Sequence, residues 1–186
     1  MNFKTVFILH SGRFIIDDSV IVLNSLASLI TSREDGKGVL AIDMQSEPDL
    51  TIMLNGGSVC PIRAEDFDGA DFKIHMEGGE TFKRAVIEFS NSIDRVLEKA
   101  NKKLSDVNFF VPHQANLRII QAVAKRIGLP IEKVSVTLNK FGNSSSTSIG
   151  LALTDALDNN KIKEGDLVLF TAFGGGFTWG STLMIW

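Results

Sequence analysis

Three short stretches of this chain hold side chains and backbone suited to chemistry at a carbonyl group. His113 lies in Val111-Pro112-His113-Gln114-Ala115-Asn116, and Asn143 lies 30 residues later in Phe141-Gly142-Asn143-Ser144-Ser145-Ser146. A glycine turn follows at Phe173-Gly174-Gly175-Gly176-Phe177-Thr178-Trp179-Gly180. A histidine can donate or accept a proton near neutral pH. An asparagine carboxamide donates hydrogen bonds, and consecutive glycines let backbone amides approach a ligand closely. Converging on one carbonyl oxygen, such donors would stabilise the oxyanion that develops in acyl-thioester chemistry. No obvious nucleophile accompanies them.

Each stretch also has a plainer reading. A lone histidine is most often a cap or a solvent-exposed group. Gly-Asn-Ser-Ser is ordinary turn and helix-capping sequence, and Ser144 to Ser146 read most simply as caps. No Gly-x-Ser-x-Gly elbow surrounds them, which argues against a serine hydrolase. The glycine triplet suits a tight turn between two strands, although a plain hairpin needs fewer glycines and does not ask for Phe173, Phe177 and Trp179 around it. No Gly-Lys-Ser/Thr follows it, so it is not a phosphate-binding P-loop. Arg118, Lys125 and Arg126 suit either a solvated helix face or a landing site for an anionic partner or a phosphopantetheine phosphate. Cys60, between Gly57 and Pro61, is not at a strand-to-helix junction that would lower its pKa, and reads as non-catalytic. His10 and His75 have no comparable surroundings.

The elements that must carry these residues follow from periodicity. Val39–Ile42 is a short β-leaning run, and residues 43–75 read as loops and short strands around Pro48, Gly56-Gly57 and Pro61. Apolar residues at steps of three or four (Phe82, Val86, Phe89, Ile93, Val96, Ala100) predict a helix from Glu80 to Ala100. Val107–Val111 reads as a strand ending just before His113. A helix from about Asn116 to Ile127 is stopped by Gly128 and Pro130. Val134–Thr137 is a strand, a third helix starts near Ser146, and Leu167–Phe170 and Ser181–Trp186 are strands. Strands alternating with amphipathic helices imply an α/β sheet flanked by helices. Residues 1–35 stay unassigned, and the remainder, 36–186, reads as one domain.

Composition narrows the classes. At 186 residues the chain can bury a substantial core, and a net charge of −3 argues against a nucleic-acid partner. One cysteine precludes an intrachain disulfide, and no Cys/His set has metal-ligand spacing. The short apolar run Val6–Leu9 is interrupted by His10 and Arg13, and no run of about 20 apolar residues is available to span a membrane. A soluble, cytoplasmic protein that needs no metal or cofactor is expected.

Taken together the motifs resemble the C-terminal half of β-ketoacyl-acyl-carrier-protein synthase III, a thiolase-fold acyltransferase that initiates type II fatty-acid synthesis. The resemblance runs from about Gly38 to Trp186. It rests on Val111–Arg118, Gly142–Ser145 and Ala172–Ser181, and on Met76–Lys83 leading into the long helix. It implies a mixed sheet with flanking helices and decarboxylative condensation of an acyl-CoA primer with malonyl-acyl-carrier protein, the CoA and phosphopantetheine thioesters being substrates rather than cofactors. In that family a Cys–His–Asn triad acts. His113 and Asn143 would be two of its members, stabilising the carbanion left by decarboxylation. Gly175 would supply an oxyanion-hole amide, and Phe173 would pack beside the triad. Gln114, Ala115, Asn116, Leu117 and Arg118 would match the carrier-protein docking stretch, with Gly78 and Asn116 along the pantetheine tunnel. The nucleophilic cysteine belongs to the N-terminal half, which nothing here matches. A truncated or split form is therefore expected, one that pairs with a cysteine-bearing half or self-associates. The alternatives are a cysteine-less malonyl-thioester decarboxylase and a non-catalytic remnant that binds carrier protein.

Overall fold

The structure, a computed structural model, describes residues 37–47, 52–54, 74–175 and 177–186. Residues 1–35 and Cys60 lie outside them.

The described part is built on a four-stranded sheet. Its strands are β1 (Gly38–Ser46), β4 (Phe109–Pro112), β5 (Leu167–Gly174) and β6 (Thr178–Ile185), in the order β1-β6-β5-β4. β4 runs parallel to β5, while β6 is antiparallel to both β5 and β1. Two short strands, β2 (Ile52–Leu54) and β3 (Ile74–Met76), pair separately. The helices are α1 (Gly78–Lys99), α2 (Leu117–Ile127), the single turn α3 (Leu138–Phe141) and α4 (Thr147–Asp158).

Strand alternation splits the apolar residues between two faces of the sheet. On one face Phe110, Leu169, Phe173 and Leu183 pack with Phe89, Ile93 and Val96 of α1 and Ile120 and Val123 of α2. On the other, Phe109, Val111, Val168, Phe170 and Met184 pack with Ile149, Ala152, Leu153 and Ala156 of α4. All eight residues of β5 are buried, as expected of a strand covered on both sides.

Three local differences from the sequence reading have physical causes. β1 extends through Asp43 to Ser46, past the boundary at Ile42. Asp43 is buried, and its carboxylate accepts bonds from Ser92 (2.9 Å), Arg95 (2.9 Å) and Lys99 (2.8 Å) of α1. Those distant partners compensate a charge that local pattern reads as loop. The expected strand Val134–Thr137 shrinks to one bridge, Val134 to Phe110, because after the Ser135 N–H bonds the Phe110 carbonyl the Ser135 carbonyl and the Thr137 N–H bond the Gln114 side chain instead. β6 begins at Thr178 rather than Ser181, because the hairpin after Gly174 is short. Gly180 permits β1 to lie close: a Cβ there would stand 2.8 Å from the Asp43 carbonyl oxygen.

Candidate active site

His113 follows the last residue of β4. Its backbone N–H donates to the Thr171 carbonyl (2.8 Å), continuing the parallel ladder one residue beyond the strand. The side chain is buried, at 5% exposure. The Phe173 ring meets the imidazole edge-on at a centroid distance of 5.7 Å. Phe173 is held in turn by Phe89 at 5.4 Å and by Phe177, stacked at 5.7 Å. The phenylalanines flanking the glycine turn thus form one wall of the histidine's site. The Ser148 hydroxyl lies 2.5 Å from His113 Nδ1.

Gln114 is where the structure departs from a docking role. It was expected to face a partner, yet it is 1% exposed and its carboxamide is fully used inside the fold. Nε2 donates to the carbonyls of Pro112 (2.8 Å) and Ser135 (3.1 Å), and Oε1 accepts from the Thr137 N–H (2.8 Å). Its backbone N–H donates to Ser148 Oγ at 3.2 Å. A buried amide is stable only with such partners. Gln114 therefore pins the His113 segment to the segment 135–137, which leads into α3 and the Asn143 loop. Ala115 is half-buried against the core.

Asn116, Leu117 and Arg118 are exposed. Asn116 caps α2, its Oδ1 accepting from the Arg118 N–H at 2.8 Å. The Arg118 guanidinium lies over the Phe82 ring of α1 at 5.9 Å. Gly78 opens α1 at an exposed position with nothing within 4 Å of where a Cβ would stand.

Asn143 sits in the exposed loop between α3 and α4. Gly142 (φ +64°) and Ser145 (φ +51°) turn the backbone there. Asn143 Oδ1 accepts from the Ser145 N–H at 3.1 Å, a local turn of the kind expected from its sequence. An ion pair of Lys140 with Asp155 ties α3 to α4 below the loop. Ser148, on the first turn of α4, meets His113, while Asn143 makes its hydrogen bond within its own exposed loop. Gly174 ends β5 buried, Gly175 forms the turn, and Gly176 lies outside the described residues. Phe177 exchanges two backbone hydrogen bonds with Glu47, at 2.7 and 2.9 Å, anchoring the far side of the turn.

The motif reading missed Ser148. A serine beside the start of a helix reads as a cap, and only the fold brings it against an imidazole 35 residues away. A separate hollow of about 370 Å³ beside Val134–Val136 and Asp155 includes none of the motif residues. Among the described residues, no helix is long and apolar enough to cross a membrane.

Comparison with known proteins bears on this geometry. Residues 97–186 match the family model described as 3-oxoacyl-[acyl-carrier-protein] synthase III C terminal. A beta-ketoacyl-[acyl-carrier-protein] synthase III from Porphyromonas gingivalis is 40% identical over 161 residues, covering 85% of this chain and 48% of that protein. One from Oleidesulfovibrio alaskensis is 44% identical over 136 residues, covering 73% and 41%. Among solved structures, the 3-oxoacyl-[acyl-carrier-protein] synthase III of Aquifex aeolicus VF5 superposes with a TM-score of 0.73 at 40% identity, covering 84% of this chain and 47% of that one. The chain spans about half the length of the curated relatives it matches.

Proposed function

We propose that this chain, whose residues 97–186 match the C-terminal model of the 3-oxoacyl-acyl-carrier-protein synthase III family, supplies the decarboxylating half of such an enzyme's active site. The substrate is a malonyl thioester on the phosphopantetheine arm of an acyl carrier protein. His113 and Asn143 donate hydrogen bonds to its thioester carbonyl. The bond between the α-carbon and the carboxylate breaks and CO₂ leaves. The electron pair is held as an enolate whose oxygen the two donors stabilise. The α-carbon then attacks the acyl thioester of a cysteine, forming the new carbon–carbon bond and releasing the cysteine thiolate. That cysteine and the acyl-CoA primer site belong to a second half of the fold, carried on the same longer polypeptide or on a separate one.

The observation that supports this reading is the packing of the glycine-turn residue Phe173 on the buried His113 imidazole, with Ser148, five residues after Asn143, at its Nδ1. The exposed Arg118 suits an acidic carrier protein. Three exposed apolar side chains adjoin site motifs in sequence: Met76 before Gly78, Leu117 after Asn116, and Phe141 before Asn143. They suit a partner half or the pantetheine arm.

A chimera tests the proposal. The half of the Porphyromonas gingivalis synthase III that this chain does not match is fused ahead of Gly38 and supplied with acyl-CoA and malonyl-carrier protein. A β-ketoacyl product that disappears in His113→Ala supports the reading. CO₂ without that product supports the decarboxylase alternative. A folded chimera that binds carrier protein but releases no CO₂ leaves the binding remnant.

A further inference from the structure

We propose that Ser148 is a positioning residue that fixes His113 in the tautomer with its proton on Nε2. The inference deepens the function proposed above and rests on it for its catalytic meaning, but not for its geometry. Ser148 is 1% exposed, and its oxygen has two polar neighbours among the described residues, the Gln114 N–H at 3.2 Å and His113 Nδ1 at 2.5 Å. A hydroxyl carries one proton and two lone pairs. The backbone N–H can only donate, so it occupies a lone pair. The hydroxyl proton then needs an acceptor, since a buried donor left unsatisfied is destabilising. The hydroxyl makes no bond to the preceding-turn carbonyl that a helical serine would ordinarily use, its only polar neighbours among the described residues being these two. Nδ1 of His113 remains, and it accepts only if it bears no proton. The ring proton is therefore on Nε2, which becomes a hydrogen-bond donor.

A donor at Nε2 is what stabilisation of a thioester oxyanion requires. The opposite tautomer would turn a lone pair toward the developing negative charge. The Phe173 ring holds the imidazole plane while Ser148 sets its protonation. Ser148 lies on α4, which begins just after the Asn143 loop.

The test reads the tautomer directly. The chain is labelled with ¹⁵N-histidine and its ring nitrogens are assigned by long-range ¹H–¹⁵N correlation, the His113 signals being those missing from His113→Gln. The expected result is a pyridine-like Nδ1 and a protonated Nε2. In Ser148→Ala this preference is lost and the two tautomers mix, while Ser148→Thr, which keeps the hydroxyl, restores it. In the chimera described above, malonyl-carrier decarboxylation in Ser148→Ala falls roughly 10- to 1,000-fold in kcat with little change in KM, the upper end being the loss of an oxyanion donor outright. A protonated Nδ1 in the parent chain overturns the proposal. So does an unchanged Nε2–H state in a folded Ser148→Ala. If the parent shows Nε2–H and the variants behave as stated but no decarboxylation occurs, Ser148 stands and the proposed function fails.

Discussion

Replacing Gln114 by methionine removes the pin between the two segments of the site while keeping the side-chain volume. The carboxamide makes three bonds, to Pro112 O (2.8 Å), Ser135 O (3.1 Å) and Thr137 N–H (2.8 Å). Methionine makes none of them. The Thr137 N–H loses its acceptor at a position where the residue is 1% exposed. Leaving a buried donor unsatisfied costs about 1–3 kcal/mol, and each carbonyl adds roughly 0.5–1 kcal/mol as a lost net hydrogen bond. The sum is about 2–5 kcal/mol. For a chain of this size each kcal/mol lowers Tm by roughly 2–4 °C, so a fall of about 4–20 °C is expected. Urea denaturation followed by circular dichroism measures the change, with the slope of the transition as the check that the unfolded state is unaltered. The chain spans about half the length of the relatives it matches, so parent and variant are compared at one protein concentration. A Gln114→Met protein within about 0.5 kcal/mol of the parent would refute the reasoning, because it would mean that the carboxamide is not a required partner of those groups.

Other consequences follow from the same geometry. Burial raises the Asp43 pKa, but the bonds from Lys99, Ser92 and Arg95 outweigh it, and the carboxyl is held below its ordinary value. Its contribution to stability is therefore complete above the unfolded value of about 3.9 and is lost as pH falls through the lower folded value. Asp43→Asn should be less stable than the parent by about 1–3 kcal/mol at pH 7, and chemical denaturation from pH 7 to 2 should show the gap narrowing below about pH 4. Gly180→Ala would place a methyl group 2.8 Å from the Asp43 carbonyl oxygen. That strand must shift, at about 1–3 kcal/mol, which thermal denaturation would register. Arg118 is exposed on α2. Arg118→Ala should leave stability within about 0.5 kcal/mol but weaken capture of an acidic carrier protein, most visibly at low salt, as followed by titration calorimetry at two ionic strengths.

Much of this architecture is legible in the sequence because local pattern and tertiary burial agree. The period of α1 puts Phe89, Ile93 and Val96 on the face that meets the sheet, and Gly128 at φ +79° ends α2 where sequence places the stop. The polar exceptions are hidden from such reading. Asp43 looks like loop until Arg95 and Lys99 are brought against it from 52 and 56 residues away. Ser135 and Thr137 look like strand residues until the Gln114 carboxamide takes the Ser135 carbonyl and the Thr137 N–H. The site divides in the same way. His113, Phe173 and Asn143 stand out by motif. Gln114 belongs to the same motif yet faces inward, and Ser148 has no motif of its own. Both depend on hydrogen bonds across 20 to 35 residues that periodicity does not encode.

The central claim is that His113, in its cage of Phe173 and Ser148, stabilises the enolate of a malonyl thioester. Release of labelled CO₂ from malonyl-carrier protein, by the full chain together with the half that completes the fold, measures it directly. The account predicts CO₂ release that falls about 10²- to 10³-fold in a folded His113→Ala, as for loss of one oxyanion donor. Release that continues undiminished in that variant would contradict it.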